Sequence, residues 1–195
     1  MSRNNLLNYI KNSSSVIINL DSDLEKIVRM AEGIYESQLH NGKLLIGGNG
    51  GSCADAEHFS GELTCTYKNK KRKAFSAISL TNNSSAITAW ANDFKFDSYF
   101  ERQVLALGKK NDVLFLLSTG GGDIVNNFSM NLVYAAKKAK DMGLKVYSLI
   151  GKTGGELLKL SDESILVKSD ITSHIQEAHI VIIHMLCEML DSYEV

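Results

Sequence analysis

The feature that most constrains the fold is a regular alternation of short apolar runs with longer segments of helical periodicity. The runs predict strands at residues 43–46, 74–80, 112–117, 144–150 and 164–167. The segments around them predict helices at residues 53–63, 84–92, 97–107, 123–142, 154–160 and 172–193. Continuously apolar strands that alternate with helices are typical of a parallel sheet covered on both faces. We therefore expect an α/β fold, a three-layer sandwich around a five-stranded parallel sheet.

The two ends of the chain carry the patterns of long helices. Residues 1–40 repeat apolar side chains at helical spacing and predict an N-terminal helical arm. The last predicted helix contains the sequence IVIIHMLCEML, which is apolar nearly all the way around. A helix without a polar face is buried in a core or between subunits. We expect a homo-oligomer to which the arm contributes.

The composition excludes several classes of protein. The 195 residues are 44% hydrophobic, and no linker or repeat divides them, so we expect a single domain over residues 1–195. A formal net charge of −1 gives no reason to expect a nucleic-acid partner, and the basic run from Lys68 to Lys73 is expected to be a solvated loop. No apolar stretch has the ~18 residues of a membrane span. We expect a cytoplasmic protein without a membrane partner.

Two glycine-rich loops follow predicted strands and precede helices. The first is GGNGGS at residues 47–52, and the second is STGGG at residues 118–122. Neither has the lysine of a Walker loop or the dinucleotide GxGxxG pattern. Each alone can be a plain strand-to-helix turn. Two such loops at the carboxyl ends of strands in one sheet favour a ligand crevice.

Four polar residues on predicted helices are candidates for chemistry. His58 and Glu62 are four residues apart and share a helix face, so they can bind one metal ion or act as an acid/base pair. A surface hydrogen-bonded pair is the simpler alternative. His184 lies within an apolar stretch, where a buried histidine needs a partner for its ring nitrogens. Gln176 is about 80° away from it around the helix, close enough to border the same cleft.

The remaining polar candidates carry weaker signals. Asn92 and Asp93 end a predicted helix and can be a plain helix terminus. His179 points away from His184 and is expected to be structural. His40 and His174 are expected to lie at the surface.

Taken together, four segments resemble the sugar isomerase (SIS) domain family, and within it the phosphoheptose isomerases. The segments are GGNGGSCADAEHFSGELT, AITAWANDFKFDSYFERQVLALGKKNDVLFLLSTGGG, AKDMGLKVYSLIGKTGGEL and HIQEAHIVIIHMLCEML, which together span most of the chain. The resemblance implies a flavodoxin-like SIS domain and a homotetramer with active sites between subunits. It also implies aldose–ketose isomerisation of sedoheptulose 7-phosphate to D-glycero-D-manno-heptose 7-phosphate, for surface heptose in lipopolysaccharide or capsule.

The resemblance also assigns roles to individual residues. It implies one zinc ion per subunit, held by His58, Glu62, Gln176 and His184. Glu62 would serve as the catalytic base and His184 as the acid. Contacts with the sugar phosphate would come from Asn49, Gly50, Gly51, Ser52, Glu62, Asn92, Asp93, Ser118, Thr119, Gly120, Asp123 and Gln176.

Two departures from the family pattern keep other interpretations open. The family's second loop usually reads STSGNS, but here Asp123 follows the glycines, and its charge would repel a phosphate. The arginine common after the family's ELTG segment is Thr66 here. One alternative is an isomerase of the same family with a different sugar substrate. Another is a noncatalytic SIS scaffold that binds a protein, similar to the replication-initiator-associating protein of bacteria.

Overall fold

A computed structural model describes residues 2–193 as eight α-helices and a five-stranded sheet. The helices are α1 (Arg3–Ile18), α2 (Leu24–Leu39), α3 (Gly51–Thr64), α4 (Ser84–Asp93), α5 (Tyr99–Leu107), α6 (Met130–Asp141), α7 (Leu157–Leu160) and α8 (Thr172–Ser192). The strands are β1 (Leu44–Gly48), β2 (Ala77–Ser79), β3 (Val113–Ser118), β4 (Lys145–Gly151) and β5 (Glu163–Val167). The predicted fold class is confirmed. Residues 1, 194 and 195 of the predicted domain lie outside the described residues.

The sheet is parallel throughout, with strand order β2-β1-β3-β4-β5. The chain adds β2 on one side of β1 and then reverses to add β3 on the other. Open α/β sheets bind ligands at such a switch point, outside the carboxyl ends of the strands. Gly48 pairs with Leu117 at this edge, so the two glycine-rich loops begin side by side.

The strands are apolar on both faces because helices cover both sides of the sheet. Leu44, Ile46 and Phe115 point into the core that contains α2, α3 and α8. The alternate residues Leu45 and Leu114 point into the core that contains α5 and α6. This alternation follows from the two-residue period of a strand.

Several element boundaries differ from the predicted ones for local reasons. The strand predicted at residues 74–80 is only three residues long, and it lies at the edge of the sheet as β2. The helix predicted for residues 154–160 begins at Leu157, since Gly154 and Gly155 have φ angles of 79° and 50°. The helix predicted for residues 123–142 begins at Met130 instead, because residues 119–129 form a loop.

The N-terminal arm folds onto the last helix. α1 packs along α8, and the ring of Tyr9 meets the ring of His174 edge-on, with centroids 4.7 Å apart. His174 is therefore buried, and the expectation of a surface position was wrong. His40 is exposed, as predicted. Among residues 2–193, no helix combines the length and the apolar character needed to cross a membrane.

His179 makes the stability of the fold depend on pH. The side chain is fully buried on α8, and neither ring nitrogen has a hydrogen bond of ordinary geometry within the described residues. Burial lowers the pKa of His179 to about 4. The unfolded chain binds this proton near pH 6.5, so a falling pH favours unfolding between pH 6.5 and pH 4. We expect His179 to lower the free energy of unfolding by about 2 kcal/mol between pH 7.5 and pH 5.

Urea denaturation of wild type and His179→Leu at pH 7.5 and pH 5 checks this prediction. The difference between the two proteins removes the contributions of groups that both contain. Asp55 is one such group. Burial raises its pKa to about 6, so its contribution to stability grows as the pH falls, opposite to that of His179. A pH dependence that the substitution leaves unchanged would contradict the prediction.

Candidate active site

The first glycine-rich loop, residues 47–52 (loop 1), turns sharply from β1 into α3. Gly50 has a φ angle of 57°, a conformation that favours glycine. A Cβ atom on Gly48 would lie 2.4 Å from the carbonyl oxygen of Ser52, so only glycine fits there. Loop 1 thus places Asn49 and Ser52 at the N-terminus of α3, on the ligand-binding edge of the sheet.

Loop 1 is tied to α6 by a pair of amide side chains. Asn49 Nδ2 donates to Asn131 Oδ1 over 3.0 Å, and Asn131 Nδ2 donates back to Asn49 Oδ1 over 2.8 Å. Asn131 is buried. The predicted ligand-binding residue Asn49 therefore supports the loop in this conformation, and Asn131 is a partner that the sequence analysis did not identify.

His58, Glu62 and His184 meet where α3 lies against α8. The Nε2 atoms of His58 and His184 are 3.1 Å apart. His58 Nε2 is 3.6 Å from Glu62 Oε1, as expected for residues four apart on a helix. Two ring nitrogens that face each other need a proton or a cation between them. The structure thus brings together three of the four residues predicted to bind metal.

Two separations in this cluster are close to those between the ligands of a tetrahedral metal ion. Zinc bonds to nitrogen and oxygen of about 2.0–2.2 Å place neighbouring ligand atoms about 3.3 Å apart in a tetrahedron. The observed separations, 3.1 Å and 3.6 Å, bracket that value. Within residues 2–193, however, no group of three or more histidine, cysteine, aspartate or glutamate side chains is placed so that it could hold a metal ion. Imidazole nitrogens and a carboxylate oxygen are nevertheless donor types that zinc takes in proteins.

Gln176, the fourth predicted ligand, lies against loop 1. A Cβ atom on Gly51 would come within 2.4 Å of Gln176 Nε2. Gly51 and His58 are seven residues apart on α3, which is about 10 Å along the helix. α3 and α8 run side by side, with Gln176 near the start of the crevice and the histidine pair further along. The structure does not bring Gln176 into hydrogen-bond contact with the other three within the described residues.

Asp55 is a half-buried carboxylate that was not predicted from the sequence. It precedes His58 by three residues, so it shares that helix face. Its Oδ2 atom is buried without a hydrogen-bond partner in the described residues. Burial raises its pKa to about 6, partly opposed by the charge of His58. The sequence did contain a signal for Asp55, because it lies three residues before the candidate metal ligand His58.

The second loop (loop 2, residues 119–129) differs most from expectation. Asp123 does not begin a helix: its Oδ1 accepts from the backbone N–H groups of Val125 and Asn126, and its Oδ2 accepts from the Asn126 side chain. These hydrogen bonds, above all that from the Asn126 side chain, lower the pKa of Asp123. The residue that precedes α6 is Ser129. The segment from Ser118 to Ser129 thus has twelve residues, twice the length of STSGNS.

A cleft of about 730 Å³ opens between loop 2 and the end of β4. Its lining includes Thr119, Gly120, Asp123, Ser129, Lys152 and the acidic residues Glu156 and Asp170. Ser118 lies beneath it, buried, with its hydroxyl accepting from Gly121 N–H. The cleft therefore contains three of the four predicted ligand-binding residues of this segment. It also contains Ser129 and Lys152, which were not predicted.

Asn92 and Asp93 are not part of this crevice within one chain. Both are exposed at the end of α4, and Asn92 Nδ2 donates to Asp93 Oδ1 over 2.8 Å. Within residues 2–193, they make no hydrogen bond to loop 1, loop 2 or the histidine pair.

Comparisons with known proteins show the family of this chain. A family model described as "SIS domain" matches residues 8–151. The phosphoheptose isomerase of Helicobacter pylori strain P12 is 46% identical over 174 residues, which cover 89% of this chain and 87% of that protein. The phosphoheptose isomerase of Campylobacter jejuni serotype O:6 is 47% identical over 85% of this chain and 86% of its own length.

Solved structures show the same fold over the full length. The structure of a phosphoheptose isomerase from Neisseria gonorrhoeae superposes with a TM-score of 0.89 at 34% identity, covering 98% of this chain and 99% of that one. A phosphoheptose isomerase from Francisella tularensis gives 0.90 at 32% identity, covering 99% and 100%. These matches include α8 and its His184, which the family model does not reach.

Proposed function

The chain belongs to the phosphoheptose isomerases of the SIS domain family, and from this premise we propose that it converts sedoheptulose 7-phosphate to D-glycero-D-manno-heptose 7-phosphate for heptose biosynthesis. The observation that carries the proposal is the meeting of His58, Glu62 and His184 beside loop 1. A carboxylate and two imidazoles in one crevice are the groups that proton transfer between neighbouring carbons requires.

The reaction moves a proton between C1 and C2 of the sugar through an ene-diol. In the proposed mechanism, Glu62 removes the proton from one carbon and returns it to the other. His184 donates and accepts protons at the sugar oxygens, and the ring of Tyr67, stacked on His184 with centroids 5.9 Å apart, covers one side of the imidazole. Zinc, held by His58, Glu62, His184 and Gln176, would polarise the carbonyl group.

We place the phosphate of the substrate in the cleft beside loop 2. Lys152 supplies a positive charge in this cleft, which Glu156 and Asp170 also line, and Ser129 and Thr119 supply hydroxyl groups. Ser129, at the start of α6, takes the place in which the sequence analysis expected Asp123. The carboxylate of Asp123 is instead engaged by the backbone and the side chain of its own loop.

Substitutions at these two loop positions test the placement of the phosphate. We expect Ser129→Ala to raise KM for the sugar phosphate about tenfold or more, since a hydrogen bond to a charged group contributes about 1.5–3 kcal/mol. We expect Asp123→Asn to change KM less than about threefold, because the half-exposed carboxylate is already engaged by three hydrogen bonds within its own loop. Initial rates across substrate concentrations measure both values. Equal effects of the two substitutions would place the phosphate elsewhere.

The chain is also proposed to form a homotetramer. Leu6, Leu7 and Ile10 on the outer side of α1 are between 48% and 60% exposed in the single chain. A helix that exposes several large apolar side chains is typical of an interface between subunits. Contact between subunits would also allow the exposed Asn92 and Asp93 to line the active-site crevice of a neighbouring subunit.

Product analysis by NMR tests the proposed function. Zinc-loaded protein is incubated with sedoheptulose 7-phosphate, and we expect signals of the aldoheptose 7-phosphate. A second candidate is the same chemistry on another sugar, which is favoured by the length of the segment from Ser118 to Ser129, twice that of STSGNS. A parallel panel of ketose phosphates of five and six carbons tests it. Turnover of a panel sugar but not of sedoheptulose 7-phosphate would establish this second candidate. Absence of turnover with every sugar would contradict both.

A further inference from the structure

The basic run from Lys68 to Lys73 contains one buried cation. The run belongs to the connection between α3 and β2, residues 65–76 (the α3–β2 connection), and was expected to be solvated throughout. Its lysines are exposed, but the Arg72 side chain is only 2% exposed and pairs with Asp191, which is 8% exposed. The expectation was therefore wrong at Arg72. A buried ion pair costs desolvation, which the further contacts at its two ends must offset.

The guanidinium group of Arg72 holds the C-terminal end of α3. It donates to the carbonyl oxygens of Glu62 over 2.9 Å and Leu63 over 3.2 Å. The last carbonyl groups of a helix have no partner within the helix, and a cation there is favourable. Arg72 also lies over the ring of Phe75, 4.7 Å from its centroid. One of the carbonyl groups it holds thus belongs to Glu62, the proposed catalytic base.

The other end of the ion pair lies on α8. Arg72 Nε is 2.7 Å from Asp191 Oδ1, and Asp191 Oδ2 accepts from the backbone N–H groups of Lys68 and Asn69, each over 2.7 Å. Asp191 follows His184 by seven residues, two turns further along the same face of α8. The α3–β2 connection therefore joins the helix of Glu62 to the helix of His184.

We infer that Arg72 is a positioning residue that fixes α3 against α8 through Asp191 and thereby sets the separation of Glu62 from His184. Only a guanidinium group has the planar set of donors that can reach two carbonyl oxygens and a carboxylate at once, and the ammonium group of lysine cannot replace it. A shift of about 1 Å between catalytic groups can reduce the rate about 100-fold. The inference rests on the proposed function, because it takes Glu62 and His184 as the groups that act on the substrate.

The test compares Arg72→Lys with two controls. Lys70→Ala removes a charge from the same run at an exposed position. Val104→Ala opens a cavity in the core on the opposite face of the sheet and reduces stability without touching either helix of the site. For each protein, kcat, KM, the zinc dissociation constant from chelator competition, and the melting temperature are measured. Assays are run well below every melting temperature.

We expect Arg72→Lys to lower kcat about 10- to 100-fold and to weaken zinc binding by a similar factor, the range found for groups that support metal ligands. KM should stay within about threefold, since the loops proposed to bind the phosphate lie on other elements. Both controls should keep the kcat and zinc affinity of wild type, although Val104→Ala melts at a lower temperature.

Three outcomes would overturn the inference or separate it from the proposed function. A folded Arg72→Lys with wild-type kcat and zinc affinity would overturn it, as would an equal loss in Val104→Ala. If Arg72→Lys does not fold, Asp191→Asn keeps the shape of the pair and is judged by the same criteria. Wild-type protein that binds zinc without isomerase turnover would contradict the proposed function, and the comparison of zinc affinities would still decide the role of Arg72.

Discussion

Replacing Glu62 with glutamine is expected to lower kcat by about 1000-fold, with little change in KM. General acid–base catalysis by one positioned side chain contributes about 10²- to 10⁴-fold, and glutamine has nearly the same shape but cannot accept the proton. The side chain is about one quarter exposed, so the uncharged amide should not unfold the protein. Initial rates with sedoheptulose 7-phosphate at saturating zinc measure the effect, since the substitution also changes a proposed zinc ligand.

Glu57→Gln provides the matched control for this substitution. Glu57 lies on the same helix, is exposed, and accepts from Thr81 Oγ1 over 3.1 Å. The control should keep most of the wild-type kcat, since the residue is on the side of α3 away from His184. A folded Glu62→Gln protein with undiminished turnover would contradict the assignment of the base.

Replacing His58 with asparagine is expected to remove bound zinc and turnover together. His58 Nε2 is the atom that lies within 3.6 Å of both Glu62 and His184 in the structure. Groups that merely support metal ligands account for about 10- to 100-fold of metal affinity, so loss of a direct ligand should exceed 100-fold. The zinc content after dialysis and kcat are measured on the same preparation.

His40→Asn is the control for the loss of a histidine. His40 is exposed and its Nδ1 bonds the carbonyl oxygen of Glu36, far from the crevice along the chain. It should retain one zinc ion per chain and the wild-type rate. Full zinc content in His58→Asn would show that the ion binds elsewhere, and full activity without zinc would show that the reaction does not need it.

The sheet could be predicted from the sequence because its signal is local. Each buried strand is a short apolar run. Because helices cover both faces of the sheet, polar residues do not alternate with apolar ones along these strands. The relation of His58 to Glu62 was likewise local, since four residues make one turn. The contact between His58 and His184 joins positions 126 residues apart, and only the resemblance to a known family anticipated it.

The failures concern features that depend on how distant elements meet. Helical periodicity could not show that the Asp123 side chain closes a turn, so α6 was expected to start seven residues too early. A run of six residues dominated by lysine does not reveal that Arg72 alone is buried, because its partners are the ends of α3 and α8. His174 was expected at the surface, and is buried because α1 folds back over α8.

The most direct test of the account is deuterium incorporation during the reaction in D₂O. Wild-type, zinc-loaded protein is allowed many turnovers with sedoheptulose 7-phosphate, and NMR follows the C1 hydrogens of the ketose and the C2 hydrogen of the aldose. Proton transfer by Glu62 through an ene-diol predicts that solvent deuterium enters these positions, and that Glu62→Gln gives neither exchange nor product. Interconversion of the two sugars without any deuterium at C1 or C2 would indicate direct hydride transfer and would contradict the account.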